Sequence, residues 1–190
     1  MLSAFYNYLR SIHPLSPQIF ADLDNYLEIV QLPKNEMLLR NGEVCNYTYI
    51  MLQGLARIYY IQDAEEISCM FVENGDFFIG TDSYYSRKPG DLNIQILQAS
   101  TIVRIHHNTL QRLYEKHPQL NYVGRVLTEN YFQKSEERLS LIRMHTAKER
   151  YLLLLQRYPN IIAQIPLKFI ASYISVAVET LSRIRSKISK

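Results

Sequence analysis

The chain changes texture twice, and its middle stretch constrains the fold most. Between Leu32 and about Ile105 it offers five short β-branched and aromatic runs: Tyr47-Thr-Tyr-Ile-Met-Leu, Ala56-Arg-Ile-Tyr-Tyr-Ile, Ile67-Ser-Cys-Met-Phe-Val, Ile94-Gln-Ile-Leu and Thr101-Ile-Val-Arg-Ile. Gly42, Gly54, Gly75 and Gly90 punctuate them. Such side chains suit a pleated, half-buried surface, and glycine suits the turns between strands. Many short strands with regular turns argue for an antiparallel roll or barrel over a doubly wound α/β sheet.

Helical patterns flank this region. Residues 1–31 read as helical, with Phe5, Leu9 and Ile12, then Phe20, Leu23, Tyr26, Leu27 and Ile29 spaced mostly by three and four around a break near Pro14. After Asn108 the pattern is helical to the end. A long helix from about Pro118 to Arg143 carries Leu120, Val123, Leu127, Tyr131, Ser135, Leu139 and Ile142 on one stripe. A stripe of this kind packs either within the chain or against a second copy. Thr146-Ala-Lys-Glu149 forms a capping box, so a further helix starts there and runs to Tyr158, before Pro159. The expected class is α+β. The expected units are residues 1–117 as a β-roll with N-terminal helices, 118–143 as a dimerisation helix, and 144–190 as a small helical domain.

Charge separates along the same lines. From Thr146 to Lys190 there are eight basic side chains against two acidic ones, a balance of +6, whereas the preceding 145 residues hold 13 basic and 16 acidic, a balance of −3. The positive field therefore belongs to one short segment, where a polyanion would dock. Two cysteines, Cys45 and Cys69, are too few for a disulfide scaffold, a four-cysteine zinc site or an all-cysteine iron–sulfur cluster, and are expected as buried thiols. No apolar run approaches the ~20 residues of a membrane span. Met1 to Arg10 lacks the order of a secretory signal, which points to the cytoplasm. Enzyme chemistry finds little support. His106 and His107 are adjacent, so a strand would aim them at opposite faces, and His13, His117 and His145 lie in helical zones. Neither a phosphate-binding glycine loop nor a Gly-x-Ser-x-Gly elbow is present. No metal or cofactor is expected.

The basic segment contains Ile165-Pro-Leu-Lys-Phe-Ile-Ala-Ser-Tyr-Ile-Ser-Val-Ala-Val-Glu-Thr-Leu-Ser-Arg-Ile-Arg-Ser-Lys, which reads as helix, tight turn, helix. Ala171 is small where the helices approach, and Ile170, Ile174, Val176, Leu181 and Ile184 supply the buried sides. The second helix, about Val178 to Lys187, then turns Glu179, Ser182, Arg183 and Arg185 outward. Polar residues near the start of such a helix reach base edges in the major groove. Arginine pairs bidentately with guanine, and glutamate accepts from the cytosine amino group.

Ile170-Ala171-Ser-Tyr with Val178-Glu179-Thr180-Leu181-Ser182-Arg183-Ile184 resembles the DNA-reading motif of the cyclic-AMP receptor and fumarate–nitrate regulator (Crp/Fnr) family. The Val-Glu-Thr-x-Ser-Arg order is closer to the fumarate–nitrate branch. Arg40-Asn-Gly42-Glu, Tyr49-Ile-Met-Leu-Gln-Gly54-Leu-Ala-Arg-Ile-Tyr and Gly75-Asp-Phe-Phe-Ile-Gly80 resemble the glycine-punctuated sensor roll of that family. The resemblance spans roughly residues 20 to 187. It implies a homodimeric transcription regulator that binds double-stranded DNA and works with RNA polymerase. Leu120, Val123, Leu127 and Tyr131 would form the dimer interface, Glu179, Ser182, Arg183 and Arg185 would face the bases, and Lys168 and Lys187 the phosphates. It further implies half-sites resembling TTGA. A ligand pocket would involve Gly80, Thr81, Asp82 and Arg87, with its effector unspecified.

Four departures from the family pattern bear on function. Ser175 stands at the turn where glycine is usual, and must tolerate or avoid a positive φ. Ala177 occupies the place of a Ser or Thr cap. The residues after Lys187 are too few for the β-hairpin wing that commonly follows, so its phosphate contacts are expected to be replaced or forgone. In the ligand cassette, no Arg-Ser pair stands at the phosphate position; Gly90 or Asp91 falls there, and a carboxylate facing a phosphodiester is repulsive. Cyclic AMP is therefore not expected to act, unless Arg87 or Lys88 substitutes as the cation. The alternative reading is a sensing or interaction roll that has lost DNA binding.

Overall fold

The structure, a computed structural model, describes residues 2–159 and 162–188. Two helices, α1 (Leu2–Ile12) and α2 (Pro17–Asp24), lead into eight strands: β1 (Glu28–Leu32), β2 (Met37–Leu39), β3 (Tyr47–Gln53), β4 (Ala56–Gln62), β5 (Glu65–Val72), β6 (Phe77–Phe78), β7 (Asn93–Ile96) and β8 (Ser100–His106). Helix α3 (Thr81–Ser86) interrupts the strands between β6 and β7. The chain closes with α4 (His107–Lys116), α5 (Pro118–Met144), α6 (Ala147–Arg157), α7 (Leu167–Tyr173) and α8 (Val178–Ile188).

The strands form two four-stranded antiparallel sheets, ordered β1-β8-β3-β6 and β2-β7-β4-β5, which face each other as a roll. Alternation along a strand sends successive side chains to opposite faces, and here both faces are covered. Tyr49, Met51 and Ile102 from the first sheet meet Ala56, Ile58, Met70, Val72 and Ile94 from the second inside the roll. Their neighbours Ile50, Val103 and Ile105 point outward, under α1, α2, α4 and the first half of α5. Phe71, together with Leu55 and Leu97 at the strand ends, lies instead under α6, α7 and α8. The roll is therefore the shared floor of two helical layers.

Local chemistry sets the turns. Gly54 has φ +127°, and a Cβ there would lie 2.0 Å from the Ser100 hydroxyl, so the β3–β4 corner requires glycine. The β4–β5 hairpin turns through Asp63 and Ala64, both at positive φ (51° and 64°), as a two-residue turn matched to strand twist demands. Thr146 and Glu149 form the expected capping box at the start of α6: the Thr146 hydroxyl accepts the Glu149 N–H, and the Glu149 carboxylate accepts the Thr146 N–H at 2.8 Å.

Two expectations are corrected. The helical reading of residues 1–31 fails past Asp24, because Glu28–Leu32 is a strand paired residue for residue with β8, from Glu28↔Arg104 to Leu32↔Ser100. Ladder pairing and burial of Val30 against the roll override the local spacing. The second correction concerns α5. Leu120, Val123 and Leu127 are 4%, 3% and 7% exposed and pack with Phe5, Leu9, Ile19, Ile50 and Val103 of the same chain. Tyr131 is half-buried and sets its ring edge-on to Phe77, centroids 6.2 Å apart. All four face the roll; Leu120, Val123 and Leu127 have almost no surface left to bury against a second copy, while Tyr131 keeps part of its own. The side that α5 leaves open carries Phe132 and Leu139, 64% and 37% exposed and seven residues apart.

Candidate functional site

The residues singled out for DNA sit on α7 and α8. Pro166 precedes α7, where a missing N–H costs nothing. Ala171 is 1% exposed at the closest approach of the two helices, and its carbonyl accepts the Val176 N–H at 3.0 Å. A side chain larger than methyl would force the helices apart. Ser175 adopts φ +53°, so the turn keeps the left-handed geometry that glycine would give, at some cost for a residue with a Cβ. Leu181 is fully buried and fixes the rotation of α8. Glu179, Ser182, Arg183, Arg185 and Lys187 are consequently exposed. Arg183 folds back along its own helix, donating from Nε to the Glu179 carbonyl at 3.4 Å and from Nη2 to the Thr180 hydroxyl at 3.3 Å. Lys168, on α7, is exposed with its ammonium 4.9 Å from the Phe169 ring centroid.

Arg150 does something that reading the sequence missed. Counted there among the basic side chains, it turns inward. Nε donates to the His145 carbonyl at 2.8 Å, Nη2 to Ile142 at 2.6 Å, and Nη1 to Ile174 and Ser175 at 3.0 and 3.4 Å. One guanidinium thus satisfies carbonyls at the end of α5 and in the α7–α8 turn. Arg157 pairs with Glu137 at 2.9 Å, and Arg138 donates to the Tyr173 carbonyl at 3.2 Å. The helix pair is also tied to the roll. The Ser172 hydroxyl accepts the Ser68 N–H at 3.2 Å and bonds the Ser68 hydroxyl at 3.1 Å, and Tyr173 stacks on Phe71 with centroids 4.9 Å apart. No sequence spacing signals these long-range partners.

The expected ligand residues gather around α3, and their polar atoms face the chain itself. Gly80 is buried; its N–H donates to the Cys45 thiol sulfur at 3.4 Å, and a Cβ there would lie 2.3 Å from Leu39. Burial raises the Cys45 thiol above its ordinary range. Thr81 lies beside the Tyr131 phenol, which burial pushes up to about 12. Asp82 accepts three backbone N–H groups, from Ser83, Asp91 and Leu92. Arg87 caps α3 at φ +56° and donates to the carbonyls of Cys45 (2.9 Å) and Tyr84 (3.1 Å) and to the Asn46 side chain (2.6 Å). Those three bonds direct its Nη1 and Nη2 to the β2–β3 connection and to the end of α3. None of the four lines the apolar cavity beneath the first half of α5. That space, about 330 Å³, lies between α1, α2, β3, α3, β8, α4 and α5, with Arg104, Arg125, Gln111 and Asn121 among its polar lining.

Among the described residues no group of three or more His, Cys, Asp or Glu could hold a metal ion, and no helix is long and apolar enough to cross a membrane.

Comparison with known proteins agrees with this anatomy. Residues 29–117, which run from β1 to the end of α4, match the model of the cyclic nucleotide-binding domain family. No curated protein matches the sequence. Solved structures share the fold over nearly the whole chain. FixK2 from Bradyrhizobium japonicum superposes with a TM-score of 0.73 at 19% identity, covering 86% of this chain and 84% of its own. The c-di-GMP responsive global regulator CLP from Xanthomonas campestris gives 0.74 at 12% identity, covering 92% of both chains. A protein from Eubacterium rectale assigned to the Crp/Fnr family gives 0.75 at 15% identity, covering 96% and 88%. Residues 29–117 thus match the cyclic nucleotide-binding domain model, within a chain whose fold these solved structures share.

Proposed function

We propose that this protein is a transcription regulator of the Crp/Fnr type, which binds double-stranded DNA as a homodimer through α8, the second member of a helix-turn-helix. The observation that carries the reading is the division of α8: Leu181 fully buried against α7, and Glu179, Ser182 and Arg183 exposed on the opposite side. That division points the polar start of the helix at a groove. Glu179 and Arg183, one turn apart, share a face; Arg183 would contact a guanine and Glu179 a cytosine amino group. Lys168 and Lys187 would contact phosphates. The named Crp/Fnr-type relatives support the same reading through their common fold. In this proposal residues 1–117 form the sensor unit, 118–143 the dimer helix and 144–190 the DNA-binding unit. RNA polymerase is the further partner, and the cytoplasm the site of action.

A second copy would meet the open side of α5. Phe132 and Leu139 are seven residues apart, with Ser135 and Ile142 half-buried between and beyond them, the 3–4 spacing of a two-helix seam. The roll would not respond to cyclic AMP, since the cassette lacks an Arg-Ser pair and Arg87 turns to the Cys45 carbonyl and the Asn46 side chain.

Selection of binding sites from random duplexes tests the DNA reading, with the wild type and Arg183→Ala side by side. The wild type should recover a two-fold motif whose half-site centres lie about one helical turn apart. Arg183→Ala should lose preference at one guanine per half-site, at roughly 1–3 kcal/mol each. Recovery of the same motif by both proteins, or of none by either, refutes the assignment.

A further inference from the structure

A carboxylate of the chain's own, that of Asp82, gathers backbone donors from both ends of the α3–β7 connection. Beyond α3 the backbone turns back toward the helix start. The N–H groups of Asp91 and Leu92 both donate to Asp82 Oδ2, at 2.5 and 3.2 Å, and the Ser83 N–H donates to Oδ1 at 2.7 Å. Gly90 passes so close that a Cβ would stand 2.4 Å from Oδ2, so a side chain there would displace the carboxylate from its present position. The cradle is also held from behind. Gly90 donates to the Glu43 carbonyl at 3.2 Å, its own carbonyl accepts the Gly42 N–H at 2.8 Å, and Asn41 N–H donates to the Asn93 side chain at 3.0 Å. Three backbone donors from two elements therefore converge on one anion, with their loop anchored to the β2–β3 connection.

A cyclic nucleotide offers its protein a single phosphodiester anion, and binding needs convergent donors at that point. By the family resemblance the phosphate end of the cassette would fall at Gly90 or Asp91, the residues that lie against the Asp82 carboxylate. We propose that Asp82 is the resident anion of the cassette. It takes the donors a phosphate would use and ties the loop between α3 and β7 to the start of α3. A tethered carboxylate has lost little freedom on reaching the cradle, so a free phosphate ester competes against a high effective concentration. The nearby Asp91 side chain adds a second negative charge against any entering anion. Asp82 is thus a specificity determinant that excludes phosphate-bearing ligands. This inference deepens the reading that cyclic AMP does not act on the roll, and it is independent of the DNA-binding proposal.

The test asks whether an external anion can take the place of Asp82. Full-length wild type, Asp82→Gly and Asp82→Asn would be melted with inorganic phosphate, or with chloride at equal ionic strength, and titrated calorimetrically with cyclic AMP. Asp82→Gly should melt about 2–6 °C below the wild type, with three donors left to water. Phosphate at roughly 10–50 mM should restore much of that loss, while leaving the wild type unmoved. The same variant should bind cyclic AMP at least tenfold more tightly than the wild type. Asp82→Asn, whose amide oxygen still accepts hydrogen bonds, should stay folded and show a smaller gain in anion binding, so the test survives if the glycine variant fails to fold. A wild type indifferent to anions, with variants that phosphate does not rescue and cyclic AMP does not bind, overturns this inference alone. A wild type that binds cyclic AMP as tightly as its variants overturns both the inference and the unresponsive-roll reading.

Discussion

Arg57 on β4 is 1% exposed, and its surroundings tie the second sheet to α7. Its Nη2 meets Glu66 at 2.6 Å and Nε donates to the Gln95 side chain at 2.9 Å. The guanidinium lies between the rings of Tyr59 and Phe169, 4.0 and 3.5 Å from their centroids. Nη1 is buried and finds no hydrogen-bond partner among the described residues. Glu66→Gln would leave this buried charge without its anion. Breaking a buried pair from one side costs about 3–5 kcal/mol. Because the Glu66 side chain is 40% exposed, solvent already screens part of the attraction, and about 1.5–3 kcal/mol is the expected loss. Arg57→Met removes the charge and its desolvation cost together. It forfeits two cation–π contacts of about 0.5–2 kcal/mol each and fills most of the same volume, for an expected net loss of about 1–2 kcal/mol. Exchanging one carboxylate oxygen for an amide nitrogen should therefore cost about as much as removing the whole cation, or more. Urea denaturation followed by circular dichroism measures the ordering. Hydrogen exchange across Leu167–Tyr173 should show faster opening of α7 in both variants, since Phe169 loses its partner or the partner loses its anchor. A Glu66→Gln protein as stable as the wild type, beside an Arg57→Met protein weakened by more than about 3 kcal/mol, would refute the reasoning.

The side of α5 that meets a second copy can be tested by paired charges. Phe132→Glu with Leu139→Glu should give folded monomers in light scattering, whereas Leu127→Glu, which puts a charge into a core position 7% exposed, should lose the cooperative melt by circular dichroism. Hydrogen bonds from Lys116 and then His117 hold the Asp22 carboxyl down to about 2 from an ordinary 3.8. Its contribution to stability is thus present above about pH 4 and lost as pH falls toward 2, and Asp22→Asn should flatten that limb of a melting-temperature profile. Burial pushes the Cys69 thiol up to about 11 and raises Cys45 as well. Both should react slowly with an aromatic disulfide reagent at mildly alkaline pH and rapidly once urea unfolds the chain, because the thiolate is the reactive form.

How far the sequence carried depends on where a residue's partner lies. The roll was legible because its signal is local: β-branched runs separated by glycines, such as Gly54 at φ +127° against Ser100, state strand and turn within a few residues. The capping box at Thr146 and Glu149 is likewise written in four positions. β1 was misread because its strand character comes from β8, seventy residues later, while its apolar spacing fits a helix equally well. α5 shows the same limit. Spacing identified an apolar stripe correctly, but spacing says nothing about what the stripe packs on. Its first half, Leu120 to Leu127, is claimed by α1, α2 and the first sheet, and only the side bearing Phe132 and Leu139 stays open.

The basic segment makes that argument sharpest. A count of charges treats Lys168, Arg150, Arg157 and Arg183 alike, yet they serve different ends. Arg150 is consumed by four carbonyls, two of them in the α7–α8 turn, and Arg157 by Glu137, which ties α6 to α5. Arg183 makes only bent contacts at 3.3 and 3.4 Å along its own helix, which a better acceptor could displace at little cost. Lys168 stands exposed over an aromatic ring. The electrostatic footprint offered to a polyanion is thus narrower than the composition suggests, and it is concentrated on the exposed face of α8. A salt dependence set by the outward charges alone should be correspondingly shallow. Replacing Lys187 should reduce its slope by about one unit, and replacing Arg150 should instead loosen the α7–α8 turn and weaken binding through the fold.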